Sequence, residues 1–198
     1  DNELSPEPGE GEPLVVRNPV DRLSRGKKWF KVDRRRSRIG KFSEWWRALD
    51  KLSRVGRFGG AAADYLQFIA LTGCRPREAF NLRWECVDLE AGTFRFENTK
   101  NGSDLTLPAG PFLLALLSER KKKSGSDYVF SNADGRRPSC PRESDQPFRE
   151  QIRKVRDEFG VQFMPTDLRR EVASTLISLR YGSDVVKTVL NHVSRTTT

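Results

Sequence analysis

One short stretch of this chain keeps a period of two, while the segments on either side keep the wider spacing of helices. Thr93-Phe94-Arg95-Phe96-Glu97 alternates polar and apolar side chains, Asn101-Gly102 is a pair favoured in tight hairpin turns, and Leu105 and Leu107 resume the alternation. A chain with this pattern folds as α+β, mainly α-helical with a small antiparallel β-sheet between Val87 and Leu107. Counting by twos from Phe94 and Phe96, with the register kept up to the turn, places Lys100 on their face.

The flanks read as helices. Trp45, Trp46, Leu49 and Leu52 follow Ser43 at amphipathic spacing, and the pattern breaks near Gly56 and again at Gly59-Gly60. A second helix is predicted from about Ala61 to Leu71, with Tyr65, Phe68 or Ile69 facing the core and Thr72-Gly73 as its stop. Pro76 suits the first turn of a short helix through Leu82, because proline forfeits no hydrogen bond there; Arg75 then sits at a tight junction. Another helix, from Pro111 to about Lys121, carries Phe112, Leu113, Leu116 and Leu117, and one from Gln146 to Phe159 carries Phe148, Ile152 and Val155. Tyr128-Val129-Phe130 reads as a brief strand. After Pro165, Leu168, Val172, Leu176 and Leu179 form a buried stripe bordered by Arg169. Ser183 or Asp184 is predicted to cap a last short helix through Leu190.

Length and charge set the organisation. The 198 residues suit one sizeable domain plus flanking peptide. Residues 1–13, rich in Pro, Gly and Glu, read as a flexible acidic segment, 14–40 as a basic linker and 41–198 as the domain. The first twelve residues hold five acidic side chains and no basic one, so a chain of net charge +9 carries +14 on the remainder. Such a surplus attracts polyanions, nucleic acid foremost, although a basic protein without such a partner shows the same composition. From Arg17 to Arg38, ten Lys or Arg face two Asp around Trp29-Phe30; this run is either a solvated linker or a phosphate-contacting one through Arg34, Arg35 and Arg36. No apolar run is long enough to cross a bilayer, and the acidic, proline-bearing start does not read as a secretory signal. Cys74, Cys86 and Cys140 lack CxxC spacing or a histidine cluster, which suggests reduced or packed thiols, not a metal site.

Four segments in order are more specific. They are Thr72-Gly73-Cys74-Arg75-Pro76-Arg77-Glu78 running on to Leu82-Arg83-Trp84, then Thr99-Lys100-Asn101-Gly102, then Pro165-Thr166-Asp167-Leu168-Arg169-Arg170, and Leu190-Asn191-His192. Over roughly Arg17 to Thr198 the chain resembles the catalytic domain of the tyrosine recombinases, the phage integrase family. That resemblance implies DNA strand exchange through a covalent 3′-phosphotyrosyl link, without metal, cofactor or added nucleotide. It assigns Arg75 and Arg169 to the scissile phosphate, where planar guanidiniums meet nonbridging oxygens with paired, charge-assisted hydrogen bonds. It makes Lys100 the general acid for the leaving 5′-oxygen and His192 a phosphate donor or proton-transfer aid. Glu78 would orient these groups, and Arg77 and Arg170 would add DNA contacts. Thr166 stands where the family usually has the histidine of its histidine-x-x-arginine box; a threonine offers a hydroxyl hydrogen bond and no base near neutral pH.

The resemblance also places the nucleophilic tyrosine shortly after Thr196-Thr197-Thr198, so the chain is expected to stop before it and to hold DNA without cutting it. Tyr65, Tyr128 and Tyr181 lie elsewhere in the pattern. Double-stranded DNA is the implied partner, with self-association as a tetramer on DNA, no membrane, and a cytoplasmic, nucleoid-associated location in a bacterium or phage-infected host. Taken singly, each residue has a plainer role: arginines at helix junctions cap carbonyls or pair with a carboxylate, a lysine beside Asn-Gly is an exposed turn residue, and a histidine after a helix caps it. A catalytically degenerate fold serving as a DNA-binding regulator is the alternative, with an RNA or general polyanion binder behind it.

Overall fold

The computed structural model describes residues 39, 42–97, 99, 102–142 and 144–191. Its organising element is helix α2 (Gly59–Thr72), in which Ala61, Ala62, Ala63, Tyr65, Leu66, Phe68 and Ile69 are all buried. A helix apolar on every side is stable only when other elements enclose it. Helices α1 (Phe42–Ser53), α3 (Pro76–Asn81), α4 (Pro111–Lys123), α5 (Arg149–Asp157) and α6 (Pro165–Ser178) all pack on α2. The two glycines expected in the break belong to α2 itself. A Cβ on Gly59 would lie 2.2 Å from the carbonyl oxygen of Leu52, so glycine alone lets α2 begin against the end of α1.

The sheet has three antiparallel strands in the order β1 (Val87–Asp88), β2 (Thr93–Phe96) and β3 (Leu105–Pro108). Phe94 pairs with Leu107 and Phe96 with Leu105. Both phenylalanines are buried, with ring centroids 5.4 and 6.3 Å from that of Phe68, and this contact ties the sheet to α2. The hairpin closes beyond the strands, where Gly102 N–H donates to Thr99 O at 2.7 Å and Thr99 Oγ1 donates to Ser103 O at 2.8 Å. Thr99 is buried although strict alternation from Phe94 and Phe96 would expose it, so counting by twos does not extend past Glu97. Lys100 and Asn101 lie outside the described residues.

Four expectations need correction. Tyr128-Val129-Phe130 forms a single bridge, Arg83 to Tyr128, and then turns, because the hydroxyls of Ser124 and Ser131 both donate to Tyr128 O. Helix α5 starts at Arg149 and not Gln146: Phe148 takes a left-handed φ of 53° and drops its ring to 4.9 Å from Tyr65. The stripe on α6 is buried only at its start. Leu168 is enclosed, Val172 and Leu176 are half-buried, and Leu179 is 63% exposed, because the end of α6 projects past the helices that cover its beginning. Helix α7 (Ser183–Val189) has Gly182 at its N-cap, with no side-chain cap from Ser183 or Asp184 and no buried residue.

Candidate active site

The site forms where the end of α2, the start of α3, the first turns of α6 and the end of α7 meet. Gly73 ends α2 in the left-handed conformation (φ 66°), its N–H donating to Ile69 O at 2.8 Å, and turns the chain sharply into Cys74-Arg75. Pro76 then opens α3 with Arg75 as its N-cap. Glu78, in the first turn of α3, serves Arg75 twice: Oε2 accepts the Arg75 backbone N–H at 2.8 Å and Oε1 accepts Nη1 at 2.7 Å. Glu78 is only 12% exposed at its side chain, so this carboxylate is committed to the arginine. From α2, the buried Tyr65 hydroxyl donates to Pro76 O at 3.0 Å and pins the same corner.

Arg169 enters from α6. Asp167, itself buried, accepts the Met164 N–H at 2.9 Å and fixes the start of that helix at Pro165, four residues before the arginine. Arg169 Nη1 donates to Gly73 O at 2.7 Å and Nη2 to Leu190 O. Arg75 Nη2 donates to Asn191 O at 3.3 Å. The two arginines therefore hold adjacent carbonyls of one corner, at which Asn191 takes a left-handed φ of 48°, a conformation asparagine tolerates better than most residues. Burial, and next the positive charge of Arg75, hold the Arg169 guanidinium below its ordinary value, with Glu78 opposing. Arginine stays charged nonetheless, so two cations converge on a half-buried spot with one carboxylate paired to Arg75. This arrangement fulfils the plainer expectations for these arginines, carbonyl caps and a carboxylate pair.

The remaining site residues divide. Thr166 is exposed in the first turn of α6. Arg170 is 62% exposed and reaches Asp167 Oδ1 at 3.4 Å. Arg77 points elsewhere: its guanidinium donates to Cys140 Sγ, to Cys140 O at 3.1 Å and to Arg142 O at 2.6 Å, fastening that loop. His192, Arg34, Arg35 and Arg36, like Lys100, lie outside the described residues. Sequence reasoning missed the three carbonyls that the arginines grip, and no side-chain pattern announces a main-chain acceptor. It also missed Arg120, buried on α4, which pairs with Asp64 of α2 at 2.9 Å and donates to the carbonyls of Lys123 and Ser131. Among the described residues no cluster of His, Cys, Asp and Glu suits a metal ion, and no helix is long and apolar enough to cross a membrane.

A mainly helical domain with one small antiparallel sheet is the catalytic-domain fold of the tyrosine recombinases. The chain belongs to the phage integrase family, whose family model matches residues 59–198. A probable integrase/recombinase protein of Methanocaldococcus jannaschii is 29% identical over 135 residues, which cover 64% of this chain and 41% of that protein. Among solved structures, the Tn1549 transposon integrase in complex with transposon right end DNA superposes with a TM-score of 0.64 at 14% identity, covering 91% of this chain and 65% of that one. The XerH site-specific recombinase bound to difH substrate gives 0.58 at 21% identity, covering 77% and 45%. The catalytic domain of bacteriophage HP1 integrase gives 0.56 at 18%, covering 78% and 80%. At these identities the structures establish the fold. The chain spans about two fifths of the curated relative's length.

Proposed function

We propose that this chain is the catalytic domain of a site-specific DNA recombinase that transfers strands through a covalent 3′-phosphotyrosyl intermediate. The observation that supports the reading most is the convergence of Arg75 and Arg169 on one corner, at the positions where the family resemblance puts its phosphate-binding arginines. As a tyrosine oxygen attacks in line and the 5′-oxygen departs, negative charge grows on the nonbridging oxygens. The two guanidiniums offer it paired donors. Lys100 is assigned the protonation of the leaving oxygen and His192 a hydrogen bond to the phosphate, with Glu78 holding Arg75 in place. Duplex DNA is the substrate, and assembly as a tetramer on DNA follows the same reading. Two of the three tyrosines within the chain do not fit the attack: Tyr65 is buried with its hydroxyl on Pro76 O, and Tyr128 stacks 3.7 Å from the Arg137 guanidinium.

The test uses the whole protein and a nicked duplex from which the cleaved strand diffuses away, so that a covalent protein–DNA complex accumulates. Arg75→Ala or Arg169→Ala is expected to remove about 3 kcal/mol of transition-state stabilisation, on the order of a hundred-fold or more in rate, while keeping most of the duplex affinity. Undiminished trapping by both variants would overturn the assignment.

Thr166 favours a second reading, a recombinase fold retained as a DNA-binding regulator. A threonine in the first turn of α6 supplies no base. Under that reading the whole protein binds duplex DNA and forms no covalent complex, and Thr166→His does not create one.

A further inference from the structure

Beside Arg75 opens a groove of about 460 Å³, walled by α3 and the turn after it on one side and by β2 on the other. Arg75, Arg77, Arg83 and Arg95 line it, against the carboxylates of Glu78 and Glu97. Glu78 is committed to Arg75. Arg77 bonds to a thiol and two carbonyls, and among the described residues no carboxylate forms an ion pair with it. Behind it Arg137 lies between the rings of Phe80 and Tyr128, at 3.9 and 3.7 Å, with its guanidinium donating to Phe80 O. Arg83 also lies over the Tyr128 ring, at 5.3 Å. Three guanidiniums interleaved with two rings thus flank a groove that begins at the candidate phosphate site.

Arg83 and Arg95 are the members of this group that can exchange partners. Arg83 pairs with Glu85 at 2.8 Å and reaches Asp127 at 3.7 Å, and Arg95 pairs with Glu97 at 2.6 Å. Both arginines and all three carboxylates are more than two fifths exposed, and ion pairs this exposed hold weakly in water. Arg75 and Arg83 bracket α3, whose six residues span roughly 9 Å at the helical rise. A DNA strand presents one phosphate per 3.4 Å of duplex axis, so Arg75 and Arg83 stand far enough apart to meet different phosphates of one strand.

We infer that this groove is a second phosphate subsite, in which Arg83 and Arg95 take backbone phosphates of the same strand whose scissile phosphate sits at Arg75 and Arg169. The inference rests on the proposed reading of the chain as a duplex-DNA strand transferase. Affinity of the chain for a short duplex is to be measured by fluorescence anisotropy across a series of NaCl concentrations. Each neutralised phosphate contributes about 0.9 to the slope of log affinity against log salt, so Arg83→Gln with Arg95→Gln should flatten the slope by about 1.8. Glu97→Gln, which removes a competing carboxylate, should tighten binding by up to about five-fold. An unchanged slope in the double variant, or weaker binding by Glu97→Gln, would overturn the subsite while leaving the strand-transfer reading intact. An equal flattening by Arg149→Gln with Arg153→Gln, two exposed arginines of α5 that do not line the groove, would overturn it as well, by reducing the effect to net charge. No duplex binding by the unaltered chain would overturn both readings.

Discussion

Replacing Gly73 by alanine tests the convergence at the candidate site through two separable costs. Gly73 sits at φ 66°, a region where a side chain costs roughly 1–2 kcal/mol. A Cβ there would also stand 2.8 Å from Leu190 Cδ2 and 3.0 Å from Val172 Cγ1, contacts closer than carbon atoms accept, and forcing extra volume into a packed junction costs about 1–3 kcal/mol more. Gly56 supplies the reference: its φ is 64°, yet a Cβ on it meets nothing within 4 Å. Gly56→Ala should therefore lose about 1–2 kcal/mol by the backbone term alone, and Gly73→Ala about 2–5 kcal/mol by both terms. Urea denaturation of the two variants against the unaltered chain reads the difference directly. Because Gly73 O and Leu190 O are the acceptors of Arg169, Gly73→Ala should also lower covalent trapping by the whole protein, and Gly56→Ala should not. Equal losses of stability in the two variants would refute the argument that α2, α6 and the Leu190 corner close on this one glycine.

Two further outcomes follow from buried titratable groups. Burial outweighs the attraction of Arg120 and holds the Asp64 carboxyl above its ordinary 3.8; the folded state then binds that proton more tightly than the unfolded state, so stability is lost as pH rises from 3.8 through the folded value. Asp64→Asn should abolish this fall, and denaturation midpoints across the acid range would show the slope disappear; an unchanged slope refutes the assignment. Burial also pushes the Cys74 thiol up to about 12, so at pH 8 iodoacetamide should leave Cys74 unmodified in the folded chain and alkylate it once urea unfolds the protein, as read by mass spectrometry of its peptide.

What the sequence made legible was local. The alternation at Thr93–Glu97 and the apolar positions Tyr65, Phe68 and Ile69 found the sheet and the central helix, because each pattern reports which face of one element meets the core. The same logic failed at Leu179: periodicity identifies the apolar side of a helix and carries no information on how far along it a neighbour extends. The later start of α5 escaped notice because a bulky residue such as Phe148 seldom takes a left-handed φ. The order of four short motifs singled out Arg75 and Arg169, which the fold brings to one corner, whereas Arg77 reads in sequence like its neighbours and differs only by facing Cys140 across 63 residues of chain. Strand β1, Val87–Asp88, is too short for any alternation to register.

The carbonyl contacts of Arg75 and Arg169 have an entropic side. A free arginine side chain carries about 2 kcal/mol of rotamer freedom, and confining one at the moment of binding costs roughly 0.5–1.5 kcal/mol. Here Gly73, Leu190 and Asn191 accept two hydrogen bonds from Arg169 and one from Arg75, and Glu78 confines Arg75 further. Folding has already met much of the ordering cost. Each guanidinium has five N–H donors, so the contacts that confine the pair leave donors over for an anion that arrives at cations already held still.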